Sequence, residues 1–171
     1  MANWLALLLV LVLVFQSVNA QEAPPPPGRP GFVEVFLPQI LACLADPDSC
    51  TSLSYKYRNL IGTIPTEIGL LTKLTEFLLN GNAMHGTLPT ELGLLTDLKR
   101  LLLQQNQLVG TIPTELGQAT SLTWCSLTDN RLTGPVPTEI ARLPLTMFFL
   151  ENNMLSGNLS FVSMFQRATL E

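Results

Sequence analysis

The sequence predicts an α/β solenoid built from stacked repeats, and three observations carry that prediction. Glycines fall at 62, 86, 110, 134 and 157, a period of 24 residues three times and then 23. The words after them recur: Gly-Thr-Ile-Pro-Thr-Glu from Gly62, Gly-Thr-Leu-Pro-Thr-Glu from Gly86, Gly-Thr-Ile-Pro-Thr-Glu from Gly110 and Gly-Pro-Val-Pro-Thr-Glu from Gly134. Apolar residues return at the same offsets in every copy. A fixed period in this range belongs to stacked units that bury their apolar faces only against neighbours.

Each unit carries the pattern L-x-x-L-x-L-x-x-N-x-L. The copies are Leu74, Phe77, Leu79, Asn82, Met84; Leu98, Leu101, Leu103, Asn106, Leu108; Leu122, Cys125, Leu127, Asn130, Leu132; and Leu145, Phe148, Leu150, Asn153, Leu155. This resembles the leucine-rich repeat family, and the run Leu108-Val109-Gly110-Thr111-Ile112-Pro113 resembles its plant- and alga-type subclass. The resemblance covers roughly two thirds of the chain. It implies a right-handed superhelix with a parallel inner β-sheet and short helical or 3-10 turns outside. It also implies a recognition function like that of receptor ectodomains and polygalacturonase-inhibitor-like proteins, toward proteins, peptides or glycans.

The residues support this independently. Side chains alternate along a strand, and paired strands lie ~4.8 Å apart. Equivalent residues of successive coils therefore form columns: Leu60, Met84, Leu108, Leu132, Leu155 is one, and Ile64, Leu88, Ile112, Val136, Leu159 another. Asn82, Asn106, Asn130 and Asn153 form a third. A buried asparagine donates and accepts at once, which suits the sharp turn after a strand. The first coil has Arg58 at this position, so the ladder starts one coil later. Thr66, Thr90, Thr114 and Thr138, each followed by a glutamate, predict hydroxyl-capped turns with an acid at the positive end of the dipole. Gly69, Gly93 and Gly117 are expected to end those turns. The fourth copy has Ala141, Pro144 and one residue fewer, which predicts a local distortion there.

In chain order, residues 1–20 carry no charged side chain and an apolar run at 4–15, too short for a span of ~20 residues. Val18-Asn19-Ala20 has the small residues of a cleavage site. This predicts a secretory signal peptide, the alternative being an uncleaved membrane anchor. Residues 21–31, with four consecutive prolines, form an extended linker. Residues 32–49 read as an N-terminal cap, with Ile40, Leu41 and Leu44 on one side of a short helix that Asp46-Pro47 ends. Repeats fill 50–157, about five coils. Cys43 and Cys50 predict a disulfide pinning cap to first coil in an oxidising compartment, the alternative being two buried thiols. Cys125 sits in a core column as a small hydrophobe. Residues 158–171 begin a partial repeat or C-terminal cap. Asn158 heads an N-x-S sequon and is the candidate glycosylation site.

Function is sought where repetition stops. The inner strand positions that packing leaves free read Ser52, Ser54, Lys56, Tyr57; Glu76, Leu78, Asn80; Arg100, Leu102, Gln104; Trp124, Ser126, Thr128; and Met147, Phe149, Glu151. Leu78, Leu102, Trp124, Met147 and Phe149 are expected as large apolar groups facing outward on one concave surface, a partner-site signature. Aromatic residues and arginine carry much interface energy, which singles out Trp124, Phe149 and Arg100. Tyr57, Glu76, Gln104, Thr128 and Glu151 complete the expected site. The competing expectation is a surface role for the outer threonine and glutamate columns. Thr63, Thr87, Thr111 and Thr66, Thr90, Thr114 form a regular hydroxyl array of the kind found in ice-binding solenoids, with wall- or self-binding as further forms.

Other classes find little support. A net charge of −4 without a Lys/Arg cluster argues against nucleic acid. Glu67, Glu91, Glu115 and Glu139 form a row, whereas calcium needs six to eight oxygens converging on a point. The one histidine, His85, has no nucleophile in register, so neither catalysis nor a metal or other cofactor is expected.

Overall fold

A computed structural model describes residues 36–157. The leader, the linker, the opening of the cap and the segment 158–171 with Asn158 lie outside the described residues, as does the Leu41 side chain.

Helix α1 spans Phe36–Ala45 and buries Ile40 and Leu44 on the first coil. It stops before Pro47, which disfavours helical backbone at the preceding residue. The Cys43–Cys50 disulfide ties α1 to the chain just ahead of the first strand.

Ten strands follow, numbered β1 to β10 in chain order. The odd ones are β1 (Ser52–Ser54), β3 (Glu76–Leu78), β5 (Arg100–Leu102), β7 (Trp124–Ser126) and β9 (Met147–Phe149). They form one parallel sheet in that order. Its register carries Ser52 onto Glu76, Arg100, Trp124 and Met147 in turn. Middle residues of these strands point inward: Leu53, Phe77, Leu101, Cys125 and Phe148 are all buried. Burial pushes the Cys125 thiol up to about 12.

The sequence reading did not anticipate a second sheet. It is made of β2 (Ile61–Gly62), β4 (Ala83–Thr87), β6 (Gln107–Gly110), β8 (Arg131–Pro135) and β10 (Met154–Ser156), again parallel and in coil order. Its close stacking depends on glycine. Gly86 and Gly110 have φ of +78° and +79°, and a Cβ on either would lie 2.9 Å from the Cγ2 of Thr63 or Thr87 in the preceding coil.

The core fills the space between the sheets and four 3-10 turns, Thr66–Leu70, Thr90–Leu94, Thr114–Gln118 and Thr138–Arg142. These turns correct two expectations. The threonine hydroxyls do not cap backbone N–H groups; each donates to the carboxylate of the next residue, Glu67, Glu91, Glu115 or Glu139. The proline before each turn is the N-cap residue and offers no side-chain hydrogen bond. Gly69, Gly93 and Gly117 lie within the turns rather than ending them, and serve close approach. A Cβ on Gly93 would sit 2.2 Å from the Glu115 carbonyl oxygen. The fourth turn does leave differently: Leu143 is extended at ψ 148°, against 57°, 68° and 69° at Leu71, Leu95 and Ala119.

The asparagine column lies where the chain leaves the first sheet. Asn106 Nδ2 donates to Leu79 O and Leu103 O, each at 3.0 Å, while its Oδ1 accepts from Met84 N–H at 3.0 Å. Asn82, Asn130 and Asn153 repeat this arrangement. Each side chain thus joins its own coil to the previous one.

Candidate functional site

Side chains at alternate positions of the first sheet form three outward lanes across the coils. The first lane is Ser52, Glu76, Arg100, Trp124, Met147, and the second is Ser54, Leu78, Leu102, Ser126, Phe149. The third, two residues beyond the second, is Lys56, Asn80, Gln104, Thr128, Glu151.

The middle lane corrects the expected apolar surface. Leu78 is only 2% exposed and Leu102 only 7%. Register stacks the two side by side, with the Glu76–Arg100 ion pair in the lane on one side and Asn80 and Gln104 in the lane on the other. Neighbours of that length wall in a leucine at strand spacing, so these two form a floor rather than a protruding patch. Trp124, Met147 and Phe149 are half-buried and lie together over β7 and β9. The large apolar surface therefore narrows to the last two coils.

Polar groups organise the rest. Glu76 pairs with Arg100 and also accepts from the Ser52 hydroxyl at 3.3 Å. Thr128 donates to Glu151 at 3.0 Å, and Asn152 Nδ2 donates to Asp129 at 2.6 Å. Tyr57, 67% exposed, adopts φ 54° just past β1, and its ring lies over Gly81, where a Cβ would come within 2.2 Å of Cδ1. Partial burial raises the phenol of Tyr55, just past β1 and packed against the core, above its ordinary value.

Among the described residues, three buried polar atoms have no hydrogen-bond partner: Asn80 Oδ1, Gln104 Oε1 and Trp124 Nε1. All three lie on this face. Asn80 is 5% exposed and was not singled out from the sequence, although its place beside Gln104 in the third lane was readable. Nothing in a single sequence distinguishes a buried concave asparagine from an exposed one.

The outer face differs. Thr63, Thr87 and Thr111 are exposed in one column, which Pro135 breaks. Among the described residues, no group of three or more His, Cys, Asp or Glu is placed to hold a metal ion, and no helix is long and apolar enough to cross a membrane.

The leucine-rich repeat family model matches residues 97–119. No curated protein sequence matches the chain at a significant level. Among solved structures, the chain is similar to the plant peptide hormone receptor RGFR1 in complex with RGF2, at 40% identity and TM-score 0.64, over 65% of this chain and 18% of that one. It is similar to the ectodomain of the receptor kinase SOBIR1 from Arabidopsis thaliana, at 31% identity and TM-score 0.62, over 66% and 64%. It is also similar to a plant ice-binding protein, at 36% identity and TM-score 0.65, over 70% and 38%. The chain spans only about a fifth of the length of the plant peptide hormone receptor RGFR1, and of PEPR1 and the TDR receptor, which it also matches. These neighbours are receptors and an ice-binding protein, and the chain shares their fold over the matched part. By its repeats and its fold, the chain is a leucine-rich repeat protein of plant type.

Proposed function

We propose that the chain is an extracellular recognition module that takes a peptide or protein partner on its concave sheet. One observation carries this reading: the lanes that packing leaves free stop repeating, and there Trp124, Met147 and Phe149 gather half-exposed, with Arg100 in register beside Trp124. Peptide-hormone and co-receptor recognition by similar structures supports it. Secretion is supported by the apolar leader and the Cys43–Cys50 bond, since disulfides persist in oxidising compartments. Tyr57, Glu76, Leu102, Thr128 and Glu151 are assigned to the rim and floor of this face, and Asn158 is proposed as a glycosylation site. No catalytic role is proposed. Affinity capture from a plant extract with the full chain tests the reading. Trp124→Ala combined with Phe149→Ala should abolish capture, while Thr87→Ala with Thr111→Ala leaves it intact.

A second reading has its own support in the exposed outer threonines and the similarity to an ice-binding protein. It places ice, wall material or a second copy on the β2–β10 sheet. Inhibition of ice recrystallisation that disappears with the Thr87 and Thr111 substitutions, and survives those at Trp124 and Phe149, would establish it instead.

A further inference from the structure

Asn80 and Gly81 form the one Asn-Gly step in the chain. This is the most reactive setting for an asparagine. Glycine has no side chain to shield its nitrogen, and its backbone freedom lets that nitrogen reach the neighbouring amide carbon. The same left-handed position in other coils holds Tyr57, Gln105, Asp129 and Asn152, so the turn itself does not demand glycine. The Tyr57 ring does, because a Cβ on Gly81 would lie 2.2 Å from its Cδ1. The step is clamped from both sides. Gly81 N–H donates to Gln104 O on the third coil at 3.0 Å, and Asn80 O accepts from Tyr57 N–H on the first coil, also at 3.0 Å. Leu79 N–H and Asn82 N–H donate to Leu102 O and Gln105 O on the third coil. Asn80 is 5% exposed and its Oδ1 is buried.

We propose that Asn80-Gly81 is a deamidation site gated by the stacking of the first three coils, inert while they are packed and converted once they part. The Gly81 nitrogen gives its proton to solvent base, and its electron pair attacks Asn80 Cγ, forming a C–N bond that closes a succinimide. The Cγ–Nδ2 bond breaks, and Nδ2 leaves as ammonia after taking up a proton. Water then adds to one ring carbonyl and one ring C–N bond breaks, giving aspartate or isoaspartate. Nothing is oxidised or reduced, and water is the only co-reactant. In the stacked fold Gln104 O holds the proton of the attacking nitrogen, and turning the peptide toward Cγ breaks bonds to two coils at once. Local opening removes both restraints. The product does not fit back. Aspartate puts a charge where the fold buries an amide oxygen, and a buried charge without a partner is costly. Isoaspartate adds a methylene to the main chain ahead of Asn82, whose Oδ1 accepts from Arg58 N–H and Leu60 N–H. Conversion thus records an opening of the N-terminal coils and makes it irreversible.

The test incubates the purified full chain in mildly alkaline buffer, with and without guanidinium chloride above its unfolding midpoint. Peptide mass spectrometry with enzymatic labelling of isoaspartate follows each asparagine. Asn80 should convert fastest in denaturant and at least about tenfold more slowly in buffer, because the reaction runs from the open form. Tyr57→Ala, at an exposed side chain, should speed conversion in buffer severalfold and leave the rate in denaturant unchanged. Converted chains returned to buffer, and an Asn80→Asp variant, should both unfold at lower denaturant than the native chain. Equal rates with and without denaturant would overturn the gate. Faster conversion of another asparagine in denaturant would overturn the site. A Tyr57→Ala rate in buffer equal to the native one would overturn the part played by the first coil, and a native midpoint in converted chains would overturn the irreversibility.

Discussion

Replacing Asn106 with alanine probes a buried rung of the ladder. The substitution removes an acceptor from Met84 N–H and a donor from the carbonyls of Leu79 and Leu103, with a longer bond of 3.4 Å to that of Gln104, which keeps Gly81 N–H. The carbonyls do not become orphans. Leu79 O keeps Asn82 Nδ2 at 2.7 Å, and Leu103 O keeps Asn130 Nδ2 at 3.0 Å. The Met84 N–H loses its asparagine acceptor inside a dry coil. A buried donor left unmet costs about 1–3 kcal/mol, and each lost carbonyl bond about 0.5–1.5 kcal/mol, the lower end applying where a partner remains. The sum is about 2–4 kcal/mol, or a fall of about 10 °C in Tm for a domain of this size. Urea titration followed by circular dichroism measures it. Asn82→Ala is the internal comparison: Asn82 is half-buried, water can replace part of what it does, and the loss should be smaller. An Asn106→Ala midpoint matching the native one, or an Asn82→Ala loss as large as that of Asn106→Ala, would refute the account.

Gly93→Ala should destabilise by about 2–4 kcal/mol, because the new methyl meets backbone of the next coil and the stack must open; thermal denaturation reads this directly, and a neutral result would show that the turns are not in close contact. Reducing the Cys43–Cys50 bond should cost about 2–3 kcal/mol for a loop this short, seen as a lower Tm in reductant that Cys43→Ser no longer shows. The Cys125 thiol is held neutral in the fold up to about 12 but ionises near its ordinary value once unfolded. Its contribution is therefore complete below about pH 8.5 and falls by about 1.4 kcal/mol per pH unit above it, until the folded value is reached. The difference in urea midpoint between the native chain and Cys125→Val should shrink in that window and stay constant below it.

Much of this fold is legible in the residues because the same contact is specified once per coil. The columns ending in Phe148, Leu150 and Leu155 and the asparagine ladder were all readable from spacing. What spacing could not convey is distance between coils. Gly69, Gly93 and Gly117 looked like turn terminators because a glycine after a short helical run usually is one; their service to Glu91, Glu115 and Glu139 of the next coil appears only in three dimensions. The second sheet escaped notice because strands of two to five residues are too short to establish alternation. At the concave face, outward direction was readable and exposure was not. Leu78 and Leu102 point away from the core yet are covered, since coverage depends on the lengths of side chains 24 residues away in sequence.

The ladder also reaches backward. Leu60, Met84, Leu108 and Leu132 give their N–H groups to asparagines 21 or 22 residues ahead. As the polypeptide emerges from a ribosome, a coil stays unfinished until the following one has been synthesised and docked. Maturation would then travel along the nascent chain one turn behind its growing tip, each newcomer sealing its predecessor.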